Sequence, residues 1–386
     1  MTASGTYRRS LGLIELVSLG VGGTVGSGIF VVPGIAAKLS GPSSLIAWAI
    51  VALSASCVLL SLSFVAYRFT PSSGFCSLFE SVFGRRIAVP LILLYTVSSV
   101  FGVATIAAGI GQYISFFNLS PVLVIEIAIL TVFCGLNIAG IAFSGMTETF
   151  LTALKIIPLV LISLLLLPFV RLENFVQASP LTTTGLLATV MIVYWPFTGF
   201  EISAIPVEET RDPSLIRRSL IIVMLIVVSL YLVLNIALIG SIGASALAAS
   251  PAPIATASGI IFTHSGPFVA FIGIIAMLSA MNAYIVGTSR IIHSLSARFS
   301  LPGLQNLTRQ GTPAVALVIS CVASGLLLLV SNRFEALATI SVITTLVPYI
   351  FFCIAAWILV AEPRVRLIAA AGMLSTTAIL VMYFLL

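Results

Sequence analysis

Hydrophobic positions along this chain follow neither the two-residue alternation of half-buried strands nor the narrow stripe of a surface helix. Apolar residues instead run almost unbroken. Short polar connections separate the runs, among them Gly41-Pro42, Pro71-Ser72-Ser73-Gly74, Asp212-Pro213, Gly266-Pro267 and Pro302-Gly303. A helix of about 20 apolar residues crosses the hydrocarbon core of a bilayer. Lipid supplies no hydrogen bonds, so a spanning backbone must satisfy itself as a helix or a closed barrel. The lack of alternation selects helices. The pattern predicts about eleven spans of this kind, at 11–36, 43–68, 87–117, 121–143, 146–170, 184–206, 216–243, 267–296, 312–332, 336–360 and 366–386. The uncharged stretch 244–266 is expected to hold a short helix or a re-entrant piece.

Composition supports this reading. The 386 residues are 60% hydrophobic and only 7% charged, against about 25% charged in soluble domains. The net charge of +6 then reports orientation, not nucleic-acid binding. Placing the N-terminus in the cytoplasm puts thirteen basic residues inside, from Arg8 and Arg9 to Arg364 and Arg366. Only Lys38, Arg171 and Arg333 fall outside, and Lys155 is left within the membrane. This bias predicts a multi-pass plasma-membrane protein with an outer C-terminus. The polar start at Met1–Ser10 and the long run behind it predict no cleaved signal peptide. The five cysteines are scattered and read as packing residues. There is no Cys/His cluster, no P-loop and no nucleophile paired with a histidine, so neither a metal, a cofactor nor an enzyme is expected.

Two spans are interrupted. The first contains Gly20, Gly22, Gly23, Gly26 and Gly28 within nine residues, and each glycine costs up to about 1 kcal/mol in a helix interior. Close helix packing is one explanation, because Gly22 and Gly26 have the four-residue spacing that lets helices approach. An unwound break is the other. It would expose amides at the start of one half-helix and carbonyls at the end of the other, giving sites for an anion and a cation. The sixth span has a comparable segment at Trp195-Pro196-Phe197-Thr198-Gly199-Phe200-Glu201. Breaks in spans one and six are what two inverted five-helix repeats would place at equivalent positions.

These residues resemble the amino acid–polyamine–organocation transporters. Gly26-Ser27-Gly28-Ile29-Phe30 is similar to that family's first-helix signature. Pro71-Ser72-Ser73-Gly74 with Phe79 and Phe83-Gly84 resembles its segment after the second helix. Phe197-Thr198-Gly199-Phe200-Glu201, with Glu208-Glu209 and Asp212-Pro213, resembles its sixth helix. Ser289-Arg290, Leu301-Pro302 and Gly311-Thr312-Pro313 resemble the end of the eighth helix and the following loop. The family usually has twelve spans and this chain has room for eleven. The resemblance implies an all-α membrane protein of the LeuT type: a 5+5 inverted repeat with helices 1 and 6 broken. The first repeat would occupy 1–170 and the second 171–361, with an additional helix at 362–386. It also implies a substrate carboxylate on the amides of Ser27, Gly28 and Ile29. The ammonium would lie near the carbonyls of Val21, Gly22, Trp195 and Phe197. Trp195 or Phe197 would close over the ligand, with Thr24, Gly26, Thr198 and Gly199 completing the site.

Charges at membrane depth are expensive and usually functional. In proton-coupled members that this chain resembles, a fifth-helix lysine replaces a sodium ion, and Lys155 matches it. Burial disfavours the ammonium, so Lys155 could release its proton during a cycle. A snorkelling lysine or a fixed structural cation is the other reading. Glu201 caps loose amides or takes part in gating and protonation, beside the gating candidate Phe200. Glu15 pairs with an interfacial arginine or belongs to an inner gate. Glu126, near the outer end of the fourth span, reads as reaching the interface. Ser279 and Asn282 line a cation region or join helices.

The expected function is secondary active transport of neutral, zwitterionic amino acids, by proton symport and alternating access. An amino acid or amine exchanger without net ion coupling is the alternative. A channel or sensor is the reading from another class. The expected partners are an amino acid, a proton and the lipid bilayer, with no nucleic acid and no protein partner indicated.

Overall fold

A computed structural model describes residues 12–68, 75–140, 145–176, 182–201, 210–212, 214–299, 301–308 and 311–385. The Pro71–Gly74 motif, Glu208-Glu209 and Pro213 lie outside them. Among the described residues the regular elements are helices alone.

The first predicted span is two helices, α1 (Leu13–Thr24) and α2 (Ser27–Ser40). Glu15 caps α1, accepting a hydrogen bond from the Gly12 amide at 2.9 Å. It therefore serves its own helix end. Next come α3 (Ser44–Arg68), the short α4 (Phe75–Phe83), α5 (Arg85–Ser115), α6 (Val122–Ile138) and α7 (Gly145–Leu166). The sixth span opens with α8 (Thr183–Tyr194), followed by a tight turn at Trp195–Phe197. The seventh is in α9 (Ser214–Ala249), bent at Gly243 where φ is 80°. Asp212 opens α9 by accepting from the Ser214 hydroxyl at 2.6 Å and the Ser214 amide at 2.9 Å. Those bonds hold its carboxyl below the usual carboxylate range. The predicted short helix in 244–266 is α10 (Pro253–Ser258), and it packs on α2 and α11. The chain ends with α11 (Ser265–Arg298), α12 (Ala314–Val330), α13 (Phe334–Leu359) and α14 (Pro363–Phe384). Among the described residues seven segments are apolar and long enough to cross a membrane, and the first of them holds both the broken span and α3. Three shorter apolar helices, Val122–Ile138, Thr183–Phe197 and Ala314–Val330, lie at the fourth, sixth and ninth predicted spans.

Helix contacts follow the expected internal symmetry. Spans 1 and 6 meet through α2 and α8, spans 2 and 7 through α3 and α9. Spans 3 and 8 meet through α5 and α11, spans 4 and 9 through α6 and α12. Cross-contacts also come in exchanged pairs: α5 packs on α13, and α11 packs on α7. Exchanging span n with span n + 5 maps these contacts onto one another, as in a 5+5 LeuT-type fold. The additional α14 lies against α3, α8 and α13.

Lipid removes most of the hydrophobic drive for helix pairing, so close approach at small residues carries the packing. A Cβ at Gly28 would lie 2.6 Å from Pro196 Cα, one at Gly26 2.8 Å from Ala280 Cβ, and one at Gly102 2.8 Å from the Tyr284 ring. Following the chain through its crossings collects Arg85, Arg86, Arg217, Arg218, Arg290 and Arg364 at one face. Lys38, Arg171 and Arg333 lie at the opposite face.

Candidate functional site

Both interruptions are real breaks. Helical geometry stops at Val25 (ψ 84°) and Gly26 (φ −129°, ψ −144°) and resumes at Ser27. The Gly26 amide turns back to the Thr24 carbonyl at 3.1 Å. In a continuous helix that amide would have bonded Gly22 O, and Ser27 N would have bonded Gly23 O. Both carbonyls are thereby released. At the start of α2, the amides of Ser27, Gly28 and Ile29 have no partner within the helix. The glycines serve both roles foreseen for them. Gly26 sits in the break, while Gly26 and Gly28 also admit neighbouring helices.

In the sixth span, the Trp195–Phe197 turn runs into extended Thr198 and then Gly199 at φ 94°. That left-handed conformation favours glycine. A side chain here would also put its Cβ 2.6 Å from Gly23 O, where the two breaks touch.

Lys155 of α7 reaches the first break. Its Nζ donates to the Gly22 carbonyl at 2.7 Å, and the residue is only 1% exposed. Gly22 belongs to the last turn of α1, where the helix dipole is negative and orphan carbonyls attract a cation. This geometry excludes the snorkelling alternative, because the ammonium points into the bundle. Tyr231 of α9 joins the two breaks. Its hydroxyl lies 3.1 Å from Thr24 O and 3.1 Å from Pro196 O. One hydroxyl proton is thus shared between carbonyls of two half-helices.

A small cavity lies between the breaks, with a volume of about 10 Å³. It is lined by Thr24, Gly26, Ser27, Gly28, Trp195 and Thr198, which are among the expected site residues, together with Gly23, Ile106, Ala280 and Tyr284. Ordinary ligand pockets measure about 300–1,000 Å³, so the site is contracted. Trp195 Nε1 donates to Ser27 Oγ at 3.3 Å, and its ring centroid is 6.0 Å from that of Tyr284. Phe197 turns away from the cavity and packs against Tyr231 and Trp48, at 5.2 and 5.9 Å between centroids. Of the two aromatic residues offered as lids, Trp195 is the one at the cavity. Val21 lies below it with its carbonyl taken by Val25 N at 2.8 Å. Ile29 is buried and outside the cavity lining.

Glu201 is 2% exposed and tied from two sides. Tyr95 of α5 donates to Oε1. Tyr349 of α13 donates to Oε2 at 2.8 Å, and the Gly199 amide does so at 3.2 Å. Phe200 packs on the Tyr349 ring, 5.1 Å between centroids. Since α5 starts at Arg85, Tyr95 comes well before Ile106 of the cavity wall. Along α5 the knot therefore lies between the cavity and the arginine-rich face. Asn282 joins helices, accepting from Asn137 Nδ2 at 2.8 Å. Among the described residues no group of His, Cys, Asp and Glu is arranged to hold a metal ion.

Sequence reading did not find Tyr95, Tyr231, Tyr284 and Tyr349. The available signal was tyrosine in mid-span, away from the interfaces where membrane tyrosines collect. A buried phenol needs a partner, and these four find carbonyls, a carboxylate and a threonine.

Comparison with known proteins agrees with this architecture. The family model described as "Amino acid permease" matches residues 11–386. The inner membrane transport protein YbaT of Escherichia coli is 24% identical over 361 residues, covering 90% of this chain and 83% of its own. The branched-chain amino acid permease BcaP of Bacillus subtilis is 25% identical over 331 residues, covering 77% of this chain and 69% of its own. An uncharacterized protein of Methanocaldococcus jannaschii, MJ0609, is 26% identical over 370 residues, 92% of this chain and 83% of its own. With the family model matched along almost its whole length, the chain belongs to the amino acid permease family, within the amino acid–polyamine–organocation transporters.

Proposed function

We propose that the protein is a proton-coupled secondary carrier of neutral amino acids with small or branched apolar side chains. The observation that carries this reading is Lys155 seated on the Gly22 carbonyl, beside a cavity whose lining has no charged side chain. The substrate carboxylate binds the Ser27, Gly28 and Ile29 amides at the head of α2. The ammonium binds carbonyls of the breaks, with Gly23 and Trp195 both in the cavity wall. Both charges are then offset by half-helix ends, so no ionic side chain is needed. Ile106 and Ala280 give the substrate side chain an apolar wall. The name of the Bacillus relative, which specifies branched-chain amino acids, points the same way.

In the proposed cycle Lys155 is the ion. Charged, it supplies the cation that the α1 carbonyls require and holds the break in its binding shape. When it gives up the proton, the neutral amine holds the Gly22 carbonyl more weakly and α1 is free to swing. The Tyr95–Glu201–Tyr349 knot closes the arginine-rich face, which is the cytoplasmic side in this reading. The repeats then divide at 170 and 361, with α14 as an addition. The plasma membrane is the proposed location.

Binding of radiolabelled amino acids to purified protein tests the substrate class. Alanine, valine and leucine should compete in the micromolar to millimolar range, while lysine, arginine and glutamate do not. Equal competition by charged amino acids would overturn the assignment.

A further inference from the structure

Glu126 is the buried acid that this cycle leaves unused. The sequence suggested that it reaches the interface, yet it is 2% exposed, and its Oε2 has no hydrogen-bond partner. Its carboxyl fills a notch in α5. A Cβ at Gly111 would lie 1.7 Å from Oε1 and 2.7 Å from the carboxyl carbon. Only glycine leaves room for the acid.

Among the described residues the helices packed around it supply no charge to match. α6 packs against α5 and α12, and α11 reaches it at Asn137, three turns away. On α5, Arg85 and Arg86 sit at the far end, Tyr95 is bound to Glu201, and the Tyr113 hydroxyl donates to Phe30 O. On α12 the titratable side chain is Cys321, which contacts Cys134 two turns further along α6. The basic residues of α11 begin at Arg290, near the arginine-rich face. An ionised carboxylate in this position is strongly disfavoured, because burial removes its water and no cation replaces it.

The same stretch of α5 touches the substrate half-helix. A Cβ at Gly109 would lie 2.9 Å from Ser27 Cβ, and Tyr113 holds Phe30 O at 2.9 Å. Gly111, between them, faces the other way. Between Gly109 and Tyr113, α5 is thus held between α2 on one side and the Glu126 carboxyl on the other.

We propose that Glu126 and the Gly111 notch form a second proton-binding site, occupied while α2 is packed on α5. The ligand is H⁺, exchanged with water at the face that carries Lys38. A proton on Glu126 keeps α5 and α6 dry and closed. Its loss leaves a carboxylate that draws water between them and loosens α5 from α2. The closed arrangement therefore binds the proton more tightly than the open one, and alkaline pH favours opening at the Lys38 face. This site is independent of Lys155 and of the identity of the substrate.

Infrared difference spectroscopy on the protein in lipid nanodiscs reads the site directly. At neutral pH the wild type should show the carbonyl stretch of a protonated carboxylic acid that is absent in Glu126→Gln, and raising the pH should bleach it. Hydrogen exchange of peptides spanning 27–40, corrected for intrinsic rates, should rise with pH in the wild type. In Glu126→Gln, which mimics the protonated acid, that rise should be lost. Gly111→Ala keeps the acid but expels it from the notch, so the band should disappear there too. Three results would overturn the proposal: no Glu126 band at neutral pH, a band that persists in Gly111→Ala, or the same pH-dependent exchange in wild type and Glu126→Gln.

Discussion

The ammonium of Lys155 lies 2.7 Å from the carbonyl oxygen of Gly22, at the point where the first half-helix ends. A charged side chain buried in a membrane protein is stable only if something polar receives it. The carbonyl it meets is one that the break at Val25-Gly26 has left without its helical donor. Each defect thereby satisfies the other.

That pairing predicts a split phenotype for Lys155→Ala. Accumulation driven by a pH gradient should fall to background, while exchange of internal for external amino acid continues. Counterflow and gradient-driven uptake in the same proteoliposomes measure the two. Pairing also implies a loss of stability of about 1–3 kcal/mol from the unmatched carbonyl, visible as a lower unfolding temperature.

Tyr231→Phe should separate the two breaks. The hydroxyl shared between Thr24 O and Pro196 O disappears, while the ring packing against Trp48 and Phe197 is retained. Substrate affinity is expected to weaken by about tenfold, equivalent to about 1.4 kcal/mol. Equilibrium binding measures this, and an unchanged affinity would show that the breaks hold their shape without the bridge.

Tyr349→Phe loosens the knot on the arginine-rich side by removing the phenol that donates to Glu201 Oε2. Stability should drop by about 1–3 kcal/mol. Thiol reagents applied from that side should reach a cysteine introduced at Ala280 faster than in the wild-type background. Labelling rates with and without the Tyr349 change provide the check.

Gly199→Ala meets two penalties. The residue has φ 94°, and its Cβ would be 2.6 Å from Gly23 O. Left-handed backbone alone costs a non-glycine residue about 1–2 kcal/mol, and the clash pushes the two breaks apart. Binding should be lost and the unfolding temperature lowered. Gly135→Ala is the matched control: its Cβ position is open within 4 Å, and alanine there should stabilise the helix by up to about 1 kcal/mol.

The spans, both breaks and the fifth-helix lysine were legible in the sequence. Long apolar runs, glycine clusters and an isolated charge are local signals, and each has a direct physical reading. Side-chain direction was not legible. Trp195 and Phe197 stand two residues apart in a turn that leaves helical geometry, so no periodicity tells which one faces the cavity. Glu126 looked like an interfacial acid because its depth is modest, and only the glycine opposite it on α5 explains why it is buried. The tyrosines at 95, 231, 284 and 349 are scattered over four helices that only the tertiary fold brings to the breaks.

Uptake of a labelled neutral amino acid into proteoliposomes tests the central claim most directly. It is measured with an inward proton gradient, with an inward sodium gradient, and with neither. Proton-coupled transport predicts accumulation above the external concentration with the proton gradient alone, abolished by a protonophore. Accumulation driven by sodium alone, or uptake seen only when the vesicles are preloaded with amino acid, would contradict it.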